Sequence, residues 1–387
     1  MIMLENQRAH FNLPEDTTYL NCAYMSPMMK SVAELGVRAI YQKEDPTTIK
    51  ADDFFKNTKN LRAAFAQLIE ADNPDRCAII PSVSYGMATV ANNLKAGKGD
   101  NIVVADEQFP SNMYAWQALQ RDKGVTVKLV APPEGEHRGK GWNERLLEAI
   151  DENTKLVSTG HVHWADGTKF DLKAIRKRTR EVGAIMAIDG TQSIGALPFS
   201  VKEFEPDAVI CAGYKWLLGP YSTAVAYYGE YFAEGQPIEN NWMNRLYSED
   251  FANLVNYQEA YQPGSIRYEV GESANFILTP MLTKAIEQIN AWGPQYIQDY
   301  CQQLTAPYLE ELAALGFKIE SPEYRGHHLI GIRLPENLSI DAVKAHLRAH
   351  QVSVSFRGNS IRIAPNVYNV SKDMDRLMEG FKVLSHA

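Results

Sequence analysis

The sequence has little cysteine and no long apolar run. Its four cysteines lie far apart in a chain of 387 residues, and none belongs to a CxxC pair; they are Cys22, Cys77, Cys211 and Cys301. This spacing argues against a zinc site and a disulfide framework, so we expect reduced thiols in the core. No stretch approaches the length of a membrane-spanning helix, and the N-terminus lacks the apolar region of a signal peptide. The sequence therefore predicts a cytoplasmic protein without a membrane partner.

Positive charge is also scarce. The chain carries 39 Lys and Arg residues against 47 Asp and Glu residues, a formal net charge of −8, and it contains no basic run. A nucleic-acid partner is therefore not expected. GxGxxG and GxxxxGK[ST] are absent as well, so the sequence indicates neither a dinucleotide fingerprint nor a P-loop. A small metabolite is the expected ligand.

The feature around which the rest can be placed is Lys215. The segment 207–220, DAVICAGYKWLLGP, runs an apolar stretch into a single lysine and a Gly-Pro stop. A strand over Ala208–Ala212 would present Tyr214 and Lys215 at the tip of a sheet, where open α/β sheets bind ligands. Aromatic neighbours would desolvate the amine, lower its pKa and let it form a Schiff base with a carbonyl. Taken alone, the segment fits a surface lysine that extends from a loop better than a Schiff-base lysine.

A second apolar strand changes that balance. Residues 184–188 form a strand pattern that ends in Asp189. In unrelated α/β enzymes an aspartate at this place also binds a sugar hydroxyl or a metal. Pyridoxal phosphate, however, needs both a lysine for its aldehyde and a carboxylate that keeps its ring nitrogen protonated. Because Lys215 and Asp189 fill these two roles, the sequence predicts pyridoxal 5′-phosphate as the cofactor and both residues as catalytic.

Strand and helix patterns alternate along most of the chain. The clearest βαβ unit joins strand patterns at 156–163 and 184–188 through a helix that begins after Asp171 and ends at Gly183. Beyond Pro294 a long helix is followed by short strands and two more helices, which is typical of a separate α+β domain. We predict an N-terminal segment over 1–20 that packs near the small domain, a large cofactor-binding domain over 21–293 and a small domain over 294–387.

The turn at 81–86, PSVSYG, joins a short strand to a helix. A helix start with free N–H groups and the hydroxyl of Ser82 or Ser84 suits a phosphate, although ordinary N-capping explains the serines as well. His161 and His163 alternate along a predicted strand face. Because no third ligand follows at a recognisable spacing, structural or ring-contact roles are favoured and no metal site is predicted.

Taken in order, these segments resemble the class V aminotransferase family of fold type I pyridoxal-phosphate enzymes, whose members include cysteine desulfurases, kynureninases and isopenicillin N epimerase. The markers are YLNCAYMSP at Tyr19, PSVSYG at Pro81, DEQFPSNMYAW at Asp106, HVHWADG at His161, IDGTQSIG at Ile188, GYKWLLGP at Gly213 and RIAPNVYN at Arg362. The resemblance covers nearly the whole chain. It implies an α/β fold with a large domain, in which helices flank a mostly parallel seven-stranded sheet, and a smaller α+β C-terminal domain.

The resemblance also assigns cofactor contacts. It makes Lys215 the Schiff-base lysine, Asp189 the partner of the pyridinium nitrogen and Gln192 a contact to the ring hydroxyl. Val83 and Ser84 would hold the phosphate through the backbone and a hydroxyl.

Three aromatic residues complete this part of the expected site. Tyr214 would give its hydroxyl to the phosphate, as the tyrosine before the lysine does in kynureninases. Phe109 would stack on the ring, although an aromatic at this position also fits a core role. Trp164 stands where desulfurases have an asparagine that touches the ring.

The resemblance further implies a homodimer with the site at the subunit interface. The segment from Arg267, RYEVGESANF, matches the part that the neighbouring subunit lends. Glu272 stands where a phosphate-binding threonine is common, which leaves Ser273 or Asn275 as the substitute.

An amino-acid or keto-acid substrate is implied as well. Arg362 matches the arginine that holds the substrate α-carboxylate. Tyr24 and His163 are expected on the substrate side, together with Met25, Trp164, Trp242 and Arg357. This set suggests an uncharged or aromatic substrate side chain.

The reaction type stays open at this point. Transamination is favoured by its frequency in the family, while a kynureninase-like Cβ lyase, prompted by the Tyr214-Lys215 pair, and an amino-acid epimerase are the alternatives. A desulfurase is disfavoured, because residues 352–362 contain no cysteine where a desulfurase carries its nucleophilic thiol. A non-catalytic protein that binds the cofactor or a metabolite is the alternative from another class.

Overall fold

The computed structural model describes residues 4–135, 137–336, 338–358 and 360–385, so the extreme ends of the predicted N-terminal segment and small domain lie outside the described residues. The strands are β1 (Thr18–Tyr19), β2 (Cys77–Ile80), β3 (Asn101–Ala105), β4 (Thr126–Val130), β5 (Thr154–Gly160), β6 (Ile185–Asp189), β7 (Ala208–Ala212), β8 (Ala224–Tyr228), β9 (Lys318–Ile319), β10 (Ile330–Arg333), β11 (Val352–Ser353), β12 (Ser355–Arg357) and β13 (Ser360–Ile363). The α-helices are α1 (Lys30–Glu44), α2 (Asp53–Leu68), α3 (Val83–Asn93), α4 (Tyr114–Lys123), α5 (Gly139–Ala149), α6 (Leu172–Val182), α7 (Val201–Phe204), α8 (Leu278–Trp292), α9 (Pro294–Ala314), α10 (Ile340–Ala349) and α11 (Ser371–Ser385).

The main sheet has seven strands among the described residues, in the order β2-β8-β7-β6-β5-β3-β4. Neighbouring strands are parallel except where β8 runs antiparallel to β2 and to β7. Every residue of β2, β3, β6 and β7 is buried, as expected for strands that helices cover on both faces. The predicted mostly parallel seven-stranded sheet is confirmed.

Helix α6 shows why the clearest βαβ unit is readable from the sequence. The Asp171 side chain accepts a hydrogen bond from the Ala174 N–H group at 3.0 Å and so caps the first turn. Gly183 ends the helix with a φ of 75°, a left-handed conformation that glycine adopts without a steric penalty.

The smaller region contains the antiparallel sheet β12-β13-β10-β9. The N-terminal strand β1 lies beside it, because β1 pairs in parallel with β11 in the register Thr18 to Val352. Apolar side chains from both sides of residue 293, such as Ile188, Ile297 and Leu329, belong to one continuous core cluster. The boundaries at residues 20 and 293 therefore remain predictions.

Helix α1 begins at Lys30, four residues after Ser26. The Ser26 backbone N–H and hydroxyl both donate to the carbonyl oxygen of Tyr214, at 3.0 and 3.2 Å. The Ser-Pro pair thus anchors the N-terminal segment to the residue before Lys215. Within the described ranges, none of the helices has the combined length and apolar character that a bilayer crossing requires.

Candidate active site

A cavity of 280 Å³ opens at one edge of the main sheet. Since the carboxyl ends of parallel strands meet at the same edge, this is where an open α/β sheet binds its ligand. Its walls are built from residues that follow β2, β3, β5, β6 and β7 and from the loop before β8. They are Pro81, Ser82, Val83, Ser84, Phe109, Ser111, Trp164, Asp189, Thr191, Gln192, Ala212, Tyr214, Lys215, Tyr221, Ser222, Thr223 and Ala224.

Lys215 lies just beyond the end of β7 and is only 7 % exposed. Its Nζ atom is 5.4 Å from the ring centroids of both Phe109 and Tyr214. Burial and, to a smaller extent, the positive charge of Arg362 lower the pKa of Lys215 to about 8, although Asp189 opposes the shift. A much larger share of the amine is therefore neutral, and nucleophilic, near neutral pH than for an exposed lysine.

Asp189 is the last residue of β6 and faces the same cavity. Burial raises the pKa of its carboxyl group, while hydrogen bonds from Thr191 and the charge of Lys215 oppose that rise. The Thr191 backbone N–H donates to Asp189 Oδ1 at 3.1 Å, which fixes the carboxyl group at the strand tip. Lys215 and Asp189, both described, do not form an ion pair with each other, so each can interact with a ligand that lies between them.

Gln192 is held at both ends of its amide. Its Nε2 atom donates to the carbonyl oxygen of Ala23 at 3.1 Å, and its Oε1 atom accepts from Trp216 Nε1 at 2.9 Å. His328 donates from Nε2 to the Gln192 carbonyl oxygen at 2.8 Å. Burial lowers the pKa of His328 to about 4, so its imidazole ring is neutral near neutral pH. Gln192 thus presents a pre-oriented amide to the cavity.

The N-terminus of α3 forms the anion-binding end of the cavity. Ser82 is the N-cap, and its Oγ atom accepts from the Tyr85 N–H group at 3.3 Å and lies 2.8 Å from Ser84 Oγ. The first N–H groups of an α-helix have no partner within the helix, so those of Val83 and Ser84 can bind a phosphate. Gly86 brings this end close to β7, since a Cβ atom there would lie 2.6 Å from Ile210. N-capping and anion binding are compatible here, and the sequence had left the choice open.

Arg362 lies on β13 and is 1 % exposed. Its Nη1 atom donates to the carbonyl oxygen of Trp164, and its Nη2 atom donates to Ser355 Oγ at 3.3 Å. Its Nε atom has no hydrogen-bond partner. Among the described residues no carboxylate pairs with it, and burial together with Arg357 lowers its pKa to about 9. An unpaired buried guanidinium is costly unless a ligand supplies the anion.

A comparison with known protein families identifies the family of this chain. The family model described as Aminotransferase class-V matches residues 47–374.

The chain belongs to the aminotransferase class-V family.

Curated relatives of this class-V chain carry different names. An uncharacterized aminotransferase, YcbU, of Bacillus subtilis is 28% identical over 348 residues, which cover 89% of either chain. A probable cysteine desulfurase of Methanothermobacter thermautotrophicus is 28% identical over 412 residues, covering 97% of this chain and 96% of the relative. The family is therefore shared, while the reaction names differ.

Solved structures agree on the fold. The apo cysteine desulfurase of Thermococcus onnurineus superposes with a TM-score of 0.83 at 20% identity and covers 100% of both chains. The cystine C-S lyase C-DES, in complex with cysteine persulfide, superposes with a TM-score of 0.84 at 20% identity and covers 95% of this chain and 97% of its own.

The class-V protein is thus a pyridoxal-phosphate-dependent enzyme, as the sequence predicts, and the cavity fits that cofactor. A weakly basic buried amine, a buried carboxyl group and a helix N-terminus with serine hydroxyls meet in one space; they come from Lys215, Asp189 and Ser84. These are the groups that the aldehyde, the ring nitrogen and the phosphate need. Phe109, Trp164, Tyr214, Gln192 and Val83 line the same cavity, where the sequence analysis expected them to contact the cofactor.

Four predicted site residues do not line this cavity. One is Arg362, which contacts the wall residue Trp164, and the other three are His163, Tyr24 and Ser273. His163 is fully buried and packs edge-to-face on Trp142, with its Nδ1 atom 3.2 Å from Asp166 Oδ1, so the structure places it in the core instead of the substrate side. Moreover, β5 ends at Gly160, so His163 does not lie on a strand face. Tyr24 is exposed and lines a neighbouring groove.

Ser273 is the third of these residues. It is buried and donates to Glu269 Oε2 at 2.9 Å. Its alternative, Asn275, caps α8 by accepting from the Leu278 N–H group at 2.8 Å. Both side chains therefore already serve the fold of their own chain, which the sequence motif does not reveal.

The sequence analysis missed several wall residues. Thr191 stands between two predicted ligands in the IDGTQ motif, and its Oγ1 atom accepts from the Ala212 N–H group at 3.1 Å, which ties the tips of β6 and β7 together. Tyr221, Ser222 and Thr223 follow the Gly-Pro stop and return along the cavity. Their position between Lys215 and the next strand is the sequence signal that could have identified them.

The described residues contain no group of three or more His, Cys, Asp and Glu side chains that could hold a metal ion. All four cysteines are free and buried, as the sequence predicts. Burial raises the pKa of Cys22 to about 12 and raises those of the other three cysteines as well.

Proposed function

We propose that this enzyme is an aminotransferase that binds the α-carboxylate of an amino acid through Arg362 and uses Lys215 as the base at Cα. The observation that carries the proposal is the buried Arg362 guanidinium, which contacts only uncharged oxygens in its own chain. Arg362 donates to the carbonyl oxygen of Trp164, and Trp164 lines the cavity that Lys215 also lines. A carboxylate bound to Arg362 therefore brings the rest of an amino acid to Lys215.

Each residue then has a defined task. Pyridoxal phosphate, when bound, supplies an electron sink for the charge that develops at Cα. The low pKa of Lys215 lets its Nζ atom accept a proton from Cα near neutral pH. Asp189 stabilises positive charge on the ring nitrogen, and Gln192 donates to the ring oxygen. The α3 N-terminus and Ser84 hold the phosphate.

The thiols of this chain support transamination over a desulfurase reaction. A desulfurase needs a thiol that can reach the substrate sulfur, and its thiolate is the nucleophile. The four described cysteines are buried with raised pKa values, and none lies on the β12-β13 segment. Accepting sulfur on the enzyme is therefore disfavoured.

A homodimer is part of the proposal. It is supported by the exposed apolar side chains of the segment after β8, where Val255 is 79 % and Tyr257 95 % exposed. Helix α1 also exposes at least half of three apolar side chains, those of Val37, Ile40 and Tyr41. Apolar surface of this extent is typical of an interface.

The test is an amino-donor screen with and without a keto-acid acceptor. Transamination predicts that keto acid forms from the donor in step with amination of the acceptor. The variant Lys215→Ala should lower the rate by roughly 10²- to 10⁴-fold, the usual contribution of a general base, and should change the absorbance of the bound cofactor. The matched control is Lys202→Ala, which removes an exposed lysine on α7 and should leave both readouts unchanged.

A Cβ lyase is the second candidate, because Tyr214 precedes the lysine and lies beside its amine. Product formed without an acceptor, together with ammonia or a fragment released from Cβ, would establish the lyase and exclude transamination. No turnover of any amino acid, in protein that binds the cofactor, would favour the non-catalytic alternative.

A further inference from the structure

The β12-β13 hairpin carries two arginines on one face. Ser355 is paired with Arg362, and Arg357 is paired with Ser360. Directly opposite residues of an antiparallel pair share a face, and so do residues two positions apart along a strand. Arg357 and Arg362 are therefore diagonal neighbours on the same face, within reach of each other's long side chains.

Arg357 lies against the active site rather than in open solvent. Its guanidinium carbon is 5.0 Å from the ring centroid of Trp164, which lines the cofactor cavity. The same Trp164 gives its carbonyl oxygen to Arg362. One tryptophan thus contacts both arginines. A ligand can also reach Arg357, since this residue lines an open groove of 710 Å³ beside the cavity.

The two arginines share a lack of counter-ions. Arg357 donates from Nη1 to the Phe356 carbonyl oxygen at 2.7 Å, and its Nε atom is buried without a partner. No ion pair to an acidic side chain is formed by either arginine among the described residues. Burial is the main reason why the pKa values of Arg362 and Lys215 are lowered, and the neighbouring positive charges lower them further. Two guanidinium groups without counter-ions in a partly dry site favour a ligand that carries more than one negative charge.

We propose that Arg357 binds a second carboxylate, so that the substrate is an acidic amino acid or the corresponding dicarboxylic keto acid. Arg362 takes the α-carboxylate and Arg357 takes the side-chain carboxylate, each through the planar fork that suits a carboxylate. This inference rests on the proposed function, because it presumes that Arg362 binds the α-carboxylate. It replaces the uncharged or aromatic side chain that the sequence suggested.

The experiment measures binding without turnover. Titration calorimetry on the holoenzyme compares glutarate with valerate, and succinate with butyrate, since each pair differs by one carboxylate in place of a methyl group. The dicarboxylates should bind roughly 10- to 100-fold more tightly, the usual effect of a charge-assisted hydrogen-bonded contact. Arg357→Gln should remove this preference and leave the affinity for valerate and butyrate unchanged, whereas Arg357→Lys should retain part of it.

The matched control is Arg348→Gln, which removes an exposed charge from the same groove but from helix α10. It should preserve the preference. Equal binding of both members of each pair by the wild type, a preference that survives Arg357→Gln, or an equal loss in Arg348→Gln would each overturn the inference.

The two proposals fail differently. If Arg362→Met abolishes binding of every carboxylate while Arg357→Gln changes nothing, the inference on Arg357 is wrong and the role of Arg362 stands. If Arg362→Met leaves the binding of valerate and butyrate intact, the proposed function itself is wrong. Steady-state kcat/KM values should follow the same order, with acidic amino acids lost selectively in Arg357→Gln.

Discussion

Two buried arginines of this protein have opposite surroundings. Arg62 on α2 is 4 % exposed and donates to Glu269 Oε1 at 2.8 Å, while Glu269 also accepts from the Ile79 N–H group and from Ser273. Arg362 is 1 % exposed and contacts only a carbonyl and a hydroxyl oxygen. The first charge is neutralised by its own chain, and the second is not.

The difference separates structure from function. A buried ion pair that is complete within the chain stabilises one packing arrangement, and removing either partner leaves an uncompensated charge. A buried charge without a partner lowers stability in the free protein and is retained where a ligand neutralises it. Arg62 therefore serves the fold, whereas the unpaired state of Arg362 supports its proposed role in substrate binding.

The largest expected effect tests the paired arginine. Glu269→Ala should lower the free energy of unfolding by roughly 3–5 kcal/mol, because the buried Arg62 then keeps only Asp75, whose half-exposed carboxylate lies 3.9 Å from the Arg62 Nε atom. Urea denaturation of the purified protein measures it. A loss below ~1 kcal/mol would show that Arg62 is solvated and would remove one side of the comparison.

The next effect tests the unpaired arginine. Arg362→Met should not lower the free energy of unfolding, since no ion pair is broken, but it should weaken carboxylate binding by about 1.5–3 kcal/mol, the worth of a hydrogen bond to a charged group. Calorimetry with valerate measures the second quantity.

The same variant should also raise the pKa of Lys215 from about 8 towards its ordinary value of 10.5, because one neighbouring positive charge is gone. The rate at which Lys215 reacts with an amine-directed reagent in cofactor-free protein reports this pKa. In the wild type the folded state binds fewer protons at Lys215 than the unfolded state between pH 8 and 10.5. This group therefore makes the free energy of unfolding rise with pH across that window and adds a constant deficit below it.

The smallest effect serves as the reference. Lys59 and Glu249 are as close as Arg62 and Glu269, at 2.8 Å, but both side chains are about half exposed. Glu249→Ala should change the free energy of unfolding by less than ~1 kcal/mol, since solvent screens the pair. A change as large as that of Glu269→Ala would mean that distance, and not burial, decides the energy.

The sequence predicted those site residues that stand at the end of a short apolar strand. The strand over Ala208–Ala212 has the predicted bounds, because a short buried run between turns is visible in the sequence. The cavity-facing positions of Lys215 and Asp189 follow from the ends of such strands. Strand β8, AVAYY, was missed, since it follows an irregular loop and a run of five residues fits several structures.

Contacts that the sequence did not predict share a different cause. Ser26, His163 and Ser273 each form a contact with a distant or unforeseen partner, namely the Tyr214 carbonyl oxygen, the Asp166 carboxylate with the Trp142 ring, and the Glu269 carboxylate. Such partners are chosen by tertiary packing, which periodicity and motif spacing do not encode. The unpaired state of Arg362 was invisible for the same reason, because it depends on what the rest of the chain fails to provide.

The pairing of β1 with β11 joins two segments that are far apart in the sequence. Ser355 Oγ, which accepts from Arg362, donates to Asn21 Oδ1 at 2.7 Å, and the Ala364 N–H group donates to the Leu20 carbonyl oxygen at 2.8 Å. Asn21 and Ser355 are 334 positions apart in the sequence, so their contact closes a long loop, which is entropically expensive. The main sheet can form before this contact is made, but the segment that carries Arg362 is fixed only after β1 has paired with β11.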